Sequence, residues 1–137
     1  YPLALTSGRL VEYEGGGEES RSNPWLAELQ QQMFVEINPA DAADRGIRDG
    51  DTVWLEGAEG GRIKIKAMVT PRVKPGVTWM PYHFAGEMHG ESLAPNYPEG
   101  TVPYVIGESA NTAMTYGYDP VTQMQETKAS LCQIEKA

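Results

Sequence analysis

The segment HFAGEMHGE carries both histidines of the chain together with two carboxylates. His83 and His89 are six residues apart, and Glu87 and Glu91 stand beside them. Imidazole and carboxylate groups are common ligands of transition metals, so a metal site in this segment is chemically conceivable. The spacing matches no established metal motif, and we favour a solvent-exposed loop with one histidine at a packed edge.

Motifs of several common active sites are absent from the sequence. No GxGxxG or GxxxxGK[ST] occurs, so neither a Rossmann site nor a P-loop is indicated. The GxSxG elbow of hydrolases and the HExxH of zinc proteases are also missing. The single cysteine, Cys132, excludes an internal disulfide framework and a cysteine-rich metal site.

Composition places the chain among globular proteins and argues against two classes of partner. Its 137 residues suit one domain, and 40% of them are hydrophobic. The net charge of −8 argues against nucleic acid and anionic membranes as partners, because both require a basic surface. No apolar run approaches the roughly 18 residues of a bilayer span, and no signal peptide opens the chain. Because the chain begins at Tyr1 rather than Met, we expect a piece of a longer protein.

Frequent turn residues indicate short strands with many connections. Glycine occurs 15 times and proline 10 times, spread along the chain. One segment alternates strictly, with Ile63, Ile65 and Ala67 on one face, and Gly60-Gly61 before it favours a hairpin. These features predict a mainly β barrel with helical connections. The predicted strands are Pro2–Thr6, Met33–Ile37, Thr52–Glu56, Arg62–Val69, Val77–Met80 and Ala129–Glu135.

Two short helices and three loops are predicted between the strands. An Asn-Pro pair opens each helix, because asparagine caps helices well and proline suits the first helical position. Trp25, Leu26 and Leu29 fall on one face of the first helix, which predicts an amphipathic helix. The predicted helices are Pro24–Gln32 and Pro39–Arg45, and the predicted loops are Arg9–Asn23, Tyr82–Gly107 and Asn111–Lys128.

Three segments resemble one family. Residues 37–80, INPADAADRGIRDGDTVWLEGAEGGRIKIKAMVTPRVKPGVTWM, resemble the C-terminal domain of the molybdopterin-dinucleotide enzymes, the dimethyl sulfoxide reductase superfamily. The opening LTSGRLVEYEGGGEESRSNPWL resembles the family's loop over the cofactor, although Tyr13 stands where many relatives have histidine. The end, ESANTAMTYGYDPVTQMQETKASLCQIEKA, is most similar to the large subunit of formate dehydrogenases.

This resemblance implies a fold, a cofactor and partners. The fold would be a double-psi β-barrel that caps a bis-molybdopterin guanine dinucleotide carrying molybdenum or tungsten. The metal ligand, the catalytic groups and the iron–sulfur clusters would lie in the rest of the parent subunit, so the domain alone would be inactive. Its partners would be those remaining domains and an iron–sulfur electron-transfer subunit, without membrane contact. Relatives occur in the cytoplasm and the periplasm, with the periplasm slightly favoured.

The resemblance also indicates which residues would bind the cofactor. Hydroxyls, backbone amides and cations suit a pyrophosphate, and an asparagine amide can pair with a pterin edge. The implied set is Thr6, Ser7, Gly8, Arg9, Glu12, Tyr13, Arg21, Ser22, Tyr82, His83, Asn111, Thr127 and Lys128. Ordinary roles compete with this interpretation: a surface ion pair between Arg9 and Glu12, a turn at Asn111, and an exposed Lys128.

Other functions of such a barrel stay open at this point. The chain could be the same domain of another oxidoreductase of the superfamily, or a separate small subunit as in formylmethanofuran dehydrogenases. It could also be a protein-interaction module like the N-terminal domains of some AAA ATPases. A self-processing decarboxylase would need a Gly-Ser cleavage site, and the sequence contains no Gly-Ser pair.

Overall fold

The computed structural model describes residues 1–59, 61–126 and 128–137. Short strands make up most of their regular secondary structure. The strands are β1 Leu3–Gly8, β2 Phe34–Ile37, β3 Thr52–Gly57, β4 Arg62–Val69, β5 Val77–Pro81, β6 Gly86–Met88, β7 Glu91–Ser92, β8 Gly107–Glu108 and β9 Ser130–Lys136. The helices are α1 Pro24–Leu29 and α2 Pro39–Asp44, with 3-10 turns at Ser20–Ser22, Ala94–Asn96 and Ala110–Thr112.

Six of the strands close into a barrel in the order β1-β5-β2-β4-β3-β9. The pairs β1–β5 and β2–β4 are parallel, and the other neighbours are antiparallel. In β4, Ile63, Ile65 and Ala67 are buried, as the alternation predicted. The mainly β barrel expected from the sequence is therefore confirmed, and closure leaves these six strands without a free edge.

Both helices begin where the Asn-Pro pairs predicted. The Asn23 side chain accepts hydrogen bonds from the backbone of Trp25 and Leu26, at 3.0 and 3.3 Å. The helix α1 ends at Leu29 rather than Gln32, and its predicted apolar face is wrong: Trp25 is 78% exposed and Leu29 63% exposed. A six-residue helix makes fewer than two turns, so it has little length over which to bury a stripe. Its buried residue is Ala27.

The prediction of a loop over Tyr82–Gly107 is wrong in part, because strands in this segment form a second sheet in the order β7-β6-β8. The Glu108 carboxylate, fully buried, holds this sheet to the barrel. It accepts hydrogen bonds from the backbone N–H groups of Lys64, His89 and Gly90, at 3.1, 3.2 and 2.5 Å. Strands of two or three residues are too short to show periodicity, which is why the sequence did not reveal them.

Cys132 occupies a packing position inside the barrel, as expected. Its side chain is fully buried, with the sulfur 3.6 Å from the Thr78 hydroxyl. Burial raises the pKa of the Cys132 thiol to about 11. A thiol with such a pKa is a poor nucleophile and metal ligand at neutral pH. In the described parts of the chain, none of the helices has the length and hydropathy needed to traverse a bilayer.

Candidate functional site

The site lies where the parallel strands β1 and β5 end together. Gly8 pairs with Pro81 in the last register position, so the segments after both strands leave the same end of the barrel. Strand β9 begins at Ser130, opposite Leu5, and therefore brings the residues before it to this end. A Cβ at Gly8 would lie 2.5 Å from Nε1 of Trp79, so glycine is needed for this close approach.

Four residues from three distant segments meet there and form what we call the basic cluster: Ser7, Arg9, Tyr82 and Lys128. Arg9 Nε donates a hydrogen bond to the Tyr82 hydroxyl at 2.5 Å. Lys128 Nζ donates to the Ser7 carbonyl at 2.5 Å and lies 5.6 Å from the Tyr82 ring centroid. The positive groups of Arg9 and Lys128 thus share one tyrosine. None of the ion pairs found in the described ranges joins Arg9 to Glu12, the ordinary alternative.

A cleft of about 550 Å³ adjoins the basic cluster, and we call it the Trp79 cleft. Its lining includes Thr6, Arg9, Glu12, Phe34, Glu36, Arg72 and Trp79. The Phe34 and Trp79 rings lie 5.9 Å apart, and the Arg72 guanidinium pairs with the Glu36 carboxylate. An aromatic wall beside guanidinium groups can hold a planar ring system that carries negative charge.

Two predicted ligands, Tyr13 and His83, lie inside the opening loop instead of in the basic cluster. Tyr13 is 4% exposed, and its hydroxyl donates to the Gln30 carbonyl. Burial and then the charge of Glu12 raise the pKa of Tyr13. His83 is fully buried, and both of its ring nitrogens face backbone groups of the loop. Both side chains are therefore enclosed and hydrogen-bonded within the protein.

The remaining predicted residues are dispersed. Arg21 donates from Nε to the Gly17 carbonyl at 3.0 Å, and its Nη1 is buried without a hydrogen-bond partner among the described residues. Ser22 is exposed. Asn111 is also exposed, on a 3-10 turn whose following residue, Ala113, packs against Gly57. Thr127 lies outside the described residues.

Sequence reasoning missed the aromatic wall and the ion pair of the Trp79 cleft. The one available signal was Glu36, a carboxylate inside the otherwise apolar strand segment MFVEI. A charge in such a strand needs a partner, because an unpaired buried carboxylate is costly. Nothing local identified the partner as Arg72, which is 36 residues away.

The two histidines of the HFAGEMHGE segment lie in different surroundings. His83 is fully buried and His89 is exposed, so one histidine is packed as expected, but the expected solvent-exposed loop is wrong because Gly86–Met88 and Glu91–Ser92 are strands. Across residues 1–59, 61–126 and 128–137, no three histidine, cysteine or acidic side chains are grouped so that they could hold a metal ion.

Comparison with known proteins shows the family of this chain. Residues 3–131 match the family model described as the molydopterin dinucleotide binding domain. The match spans most of the chain, so the chain belongs to this family of cofactor-binding domains. The donor set fits such a ligand, since the basic cluster offers two cations that can donate to phosphate oxygens.

Similar full-length proteins are much longer than this chain. It is 35% identical over 138 residues to formate dehydrogenase 2 subunit alpha (cytochrome c-553) of Nitratidesulfovibrio vulgaris. It is 33% identical, over the same length, to formate dehydrogenase subunit alpha of Megalodesulfovibrio gigas. Each match covers 100% of this chain and 13% of the relative.

A solved structure shares the fold. Acetylene hydratase from Pelobacter acetylenicus superposes with a TM-score of 0.76 at 17% identity. The superposition covers 100% of this chain and 18% of that protein. The architecture of this barrel therefore recurs as a part of a larger protein.

Proposed function

We propose that residues 1–137 form one domain of a formate dehydrogenase large subunit and that this domain covers a bis-molybdopterin guanine dinucleotide. The observation that carries the proposal is the basic cluster, in which Arg9 and Lys128 meet at Tyr82 although they are 119 positions apart in the sequence. The family match and the two formate dehydrogenase relatives, aligned over the entire chain, support it.

Local charge supports a phosphate-bearing ligand despite the acidic composition. The net charge of the chain is −8, yet Arg9 and Lys128 lie together at one end of the barrel. Charge-assisted hydrogen bonds to phosphate oxygens are among the stronger ones in proteins. Arg9 would offer its remaining guanidinium N–H groups and Lys128 its ammonium.

In the parent subunit, this domain would bind the cofactor and the other domains would carry the catalytic groups. When bound, the cofactor supplies a molybdenum or tungsten centre that takes up two electrons as formate becomes carbon dioxide. The residues of this chain hold the dinucleotide and keep water from it. The remaining domains of the subunit would provide the catalytic groups, and an iron–sulfur subunit would receive the electrons. Alone, the domain would have no activity.

Calorimetric titration with guanosine diphosphate tests the binding role, since this nucleotide is one half of the dinucleotide's polar part. We expect millimolar or tighter binding that weakens roughly 10-fold or more in R9M and in K128M, since each loses a charged hydrogen bond worth about 1.5–3 kcal/mol.

The matched control is K74M, which removes an exposed lysine beyond the opposite end of β5. Binding that is equally weakened by K74M would show only a general charge effect. Binding that survives loss of both Arg9 and Lys128 would contradict the assignment of the basic cluster.

A further inference from the structure

His83 is a fully buried polar side chain next to Tyr82 of the basic cluster. It is fully buried, and its Nε2 accepts a hydrogen bond from the Leu10 backbone N–H at 2.7 Å. Its Nδ1 lies 2.8 Å from the Gly15 carbonyl oxygen and 3.1 Å from that of Glu14. Since Leu10 N–H must donate, Nε2 is unprotonated and Nδ1 carries the hydrogen. The surroundings therefore fix one neutral tautomer.

The opening loop closes around this residue from several sides. Gly17 has a φ of +87°, and a Cβ there would lie 2.1 Å from the His83 carbonyl oxygen. The Tyr13 ring lies 5.6 Å from the imidazole, centroid to centroid, and the Tyr82 ring lies 5.0 Å from it. Residues 10–17, which we call the wrapping loop, thus touch His83 at both ends and in the middle.

The contacts of His83 continue the pairing of β1 with β5 beyond the sheet. Tyr82 N–H donates to the Gly8 carbonyl at 3.3 Å, and Arg9 Nε then donates to the Tyr82 hydroxyl. Leu10 N–H next donates to His83. The imidazole nitrogen thereby takes the place that a backbone carbonyl would occupy in a longer sheet, and Arg9 lies between two anchored neighbours.

We propose that His83 is a positioning residue, which holds the wrapping loop closed and thereby fixes Arg9 beside Tyr82 in the basic cluster. In this arrangement both ring nitrogens are used, so His83 acts through the loop instead of touching the ligand. The loop half of this proposal is that His83 holds the wrapping loop closed, and it stands on the geometry alone. The ligand half is that this closure fixes Arg9 for ligand binding, and it rests on the proposed function.

Three substitutions of His83 separate its two hydrogen bonds. In H83Q the side-chain oxygen can reach the Nε2 position and accept from Leu10 N–H. In H83N the shorter amide reaches only the Nδ1 position, so it can donate to Gly15 but cannot serve Leu10. H83F keeps the ring volume and removes both bonds. H89N is the matched control, because His89 is exposed and asparagine tolerates its φ of +53°.

Two measurements on each variant test the proposal: amide hydrogen exchange at Leu10 and the Kd for guanosine diphosphate. We expect exchange at Leu10 to accelerate roughly 3- to 10-fold in H83N and H83F, the range for one lost hydrogen bond, with Ile65 in the barrel unchanged. The Kd should rise by a similar factor. H83Q should stay near the wild type in both, as should H89N, and ring ¹⁵N shifts should show the Nδ1–H tautomer.

Unchanged exchange at Leu10 in both H83N and H83F would overturn the loop half. Faster exchange with an unchanged Kd would overturn the ligand half, because the loop would then move without affecting Arg9. If the wild type binds no guanosine diphosphate, the proposed function is contradicted, and Leu10 exchange alone decides the loop half. If H83F does not fold, the comparison of H83Q with H83N decides.

Discussion

Replacing Glu108 by glutamine tests how the second sheet is attached to the barrel. One carboxylate oxygen accepts from Lys64 and Gly90, and the other accepts from His89. The amide oxygen of a glutamine can still accept from Lys64 and Gly90, but its NH₂ group must then face the His89 N–H. The variant loses one charged hydrogen bond and gains two opposed donors, which costs about 2 kcal/mol.

The alanine variant E108A should be more destabilised, because three backbone N–H groups lose their acceptor. Full desolvation would cost about 1–3 kcal/mol for each of them. His89 and Gly90 are exposed residues, and Glu108 lines a cleft of about 750 Å³, so water can replace part of the loss. We therefore expect about 3 kcal/mol, a large fraction of the typical 5–15 kcal/mol stability of a domain.

Urea unfolding at pH 7 measures both variants, with the midpoint and the m-value compared to the wild type. The order of stability should be wild type, then E108Q, then E108A. E108Q within about 0.5 kcal/mol of the wild type would refute the reasoning, since the three N–H groups would then not depend on the carboxylate.

Three further predictions concern other groups. Burial and then the charge of Glu108 raise the pKa of Glu87 above 4.5, so folding favours its protonated form and wild-type stability falls as pH rises through that pKa. E87Q should accordingly be more stable than the wild type at pH 7, by less than about 1 kcal/mol because the site is partly solvated, and urea unfolding near pH 4 should show no difference. I63A should lose about 2–5 kcal/mol in the same assay, because it removes a fully buried side chain from the closed barrel. Alkylation of Cys132 by iodoacetamide at pH 8 should proceed only with unfolding, and rapid labelling of the folded protein would contradict its burial.

The barrel strands were predictable because their signals are local. Alternation in β4 and the turn residues on both sides of it reflect one buried face and one exposed face. The Asn-Pro pairs marked both helix starts for the same reason, since a cap interacts with residues two or three positions ahead. These parts of the fold depend on neighbours in sequence.

The site depended on contacts that sequence spacing does not encode. The resemblance brought together residues near the two ends of the chain, and the structure places Arg9, Tyr82 and Lys128 in one cluster. The resemblance could not tell an exposed residue from a buried one, as His83 shows. The orientation of a side chain follows from long-range packing. The Trp79 cleft depends on such packing, because its lining comes from segments that are far apart in the sequence.

Amide chemical shifts recorded during titration with guanosine diphosphate test the central claim most directly. We expect shifts that cluster in the basic cluster and at Gly8, between Ser7 and Arg9, with little change at Lys64, which lines the other cleft, of about 750 Å³. Shifts that cluster instead around Lys64 and Lys66, with the basic cluster unchanged, would contradict this claim.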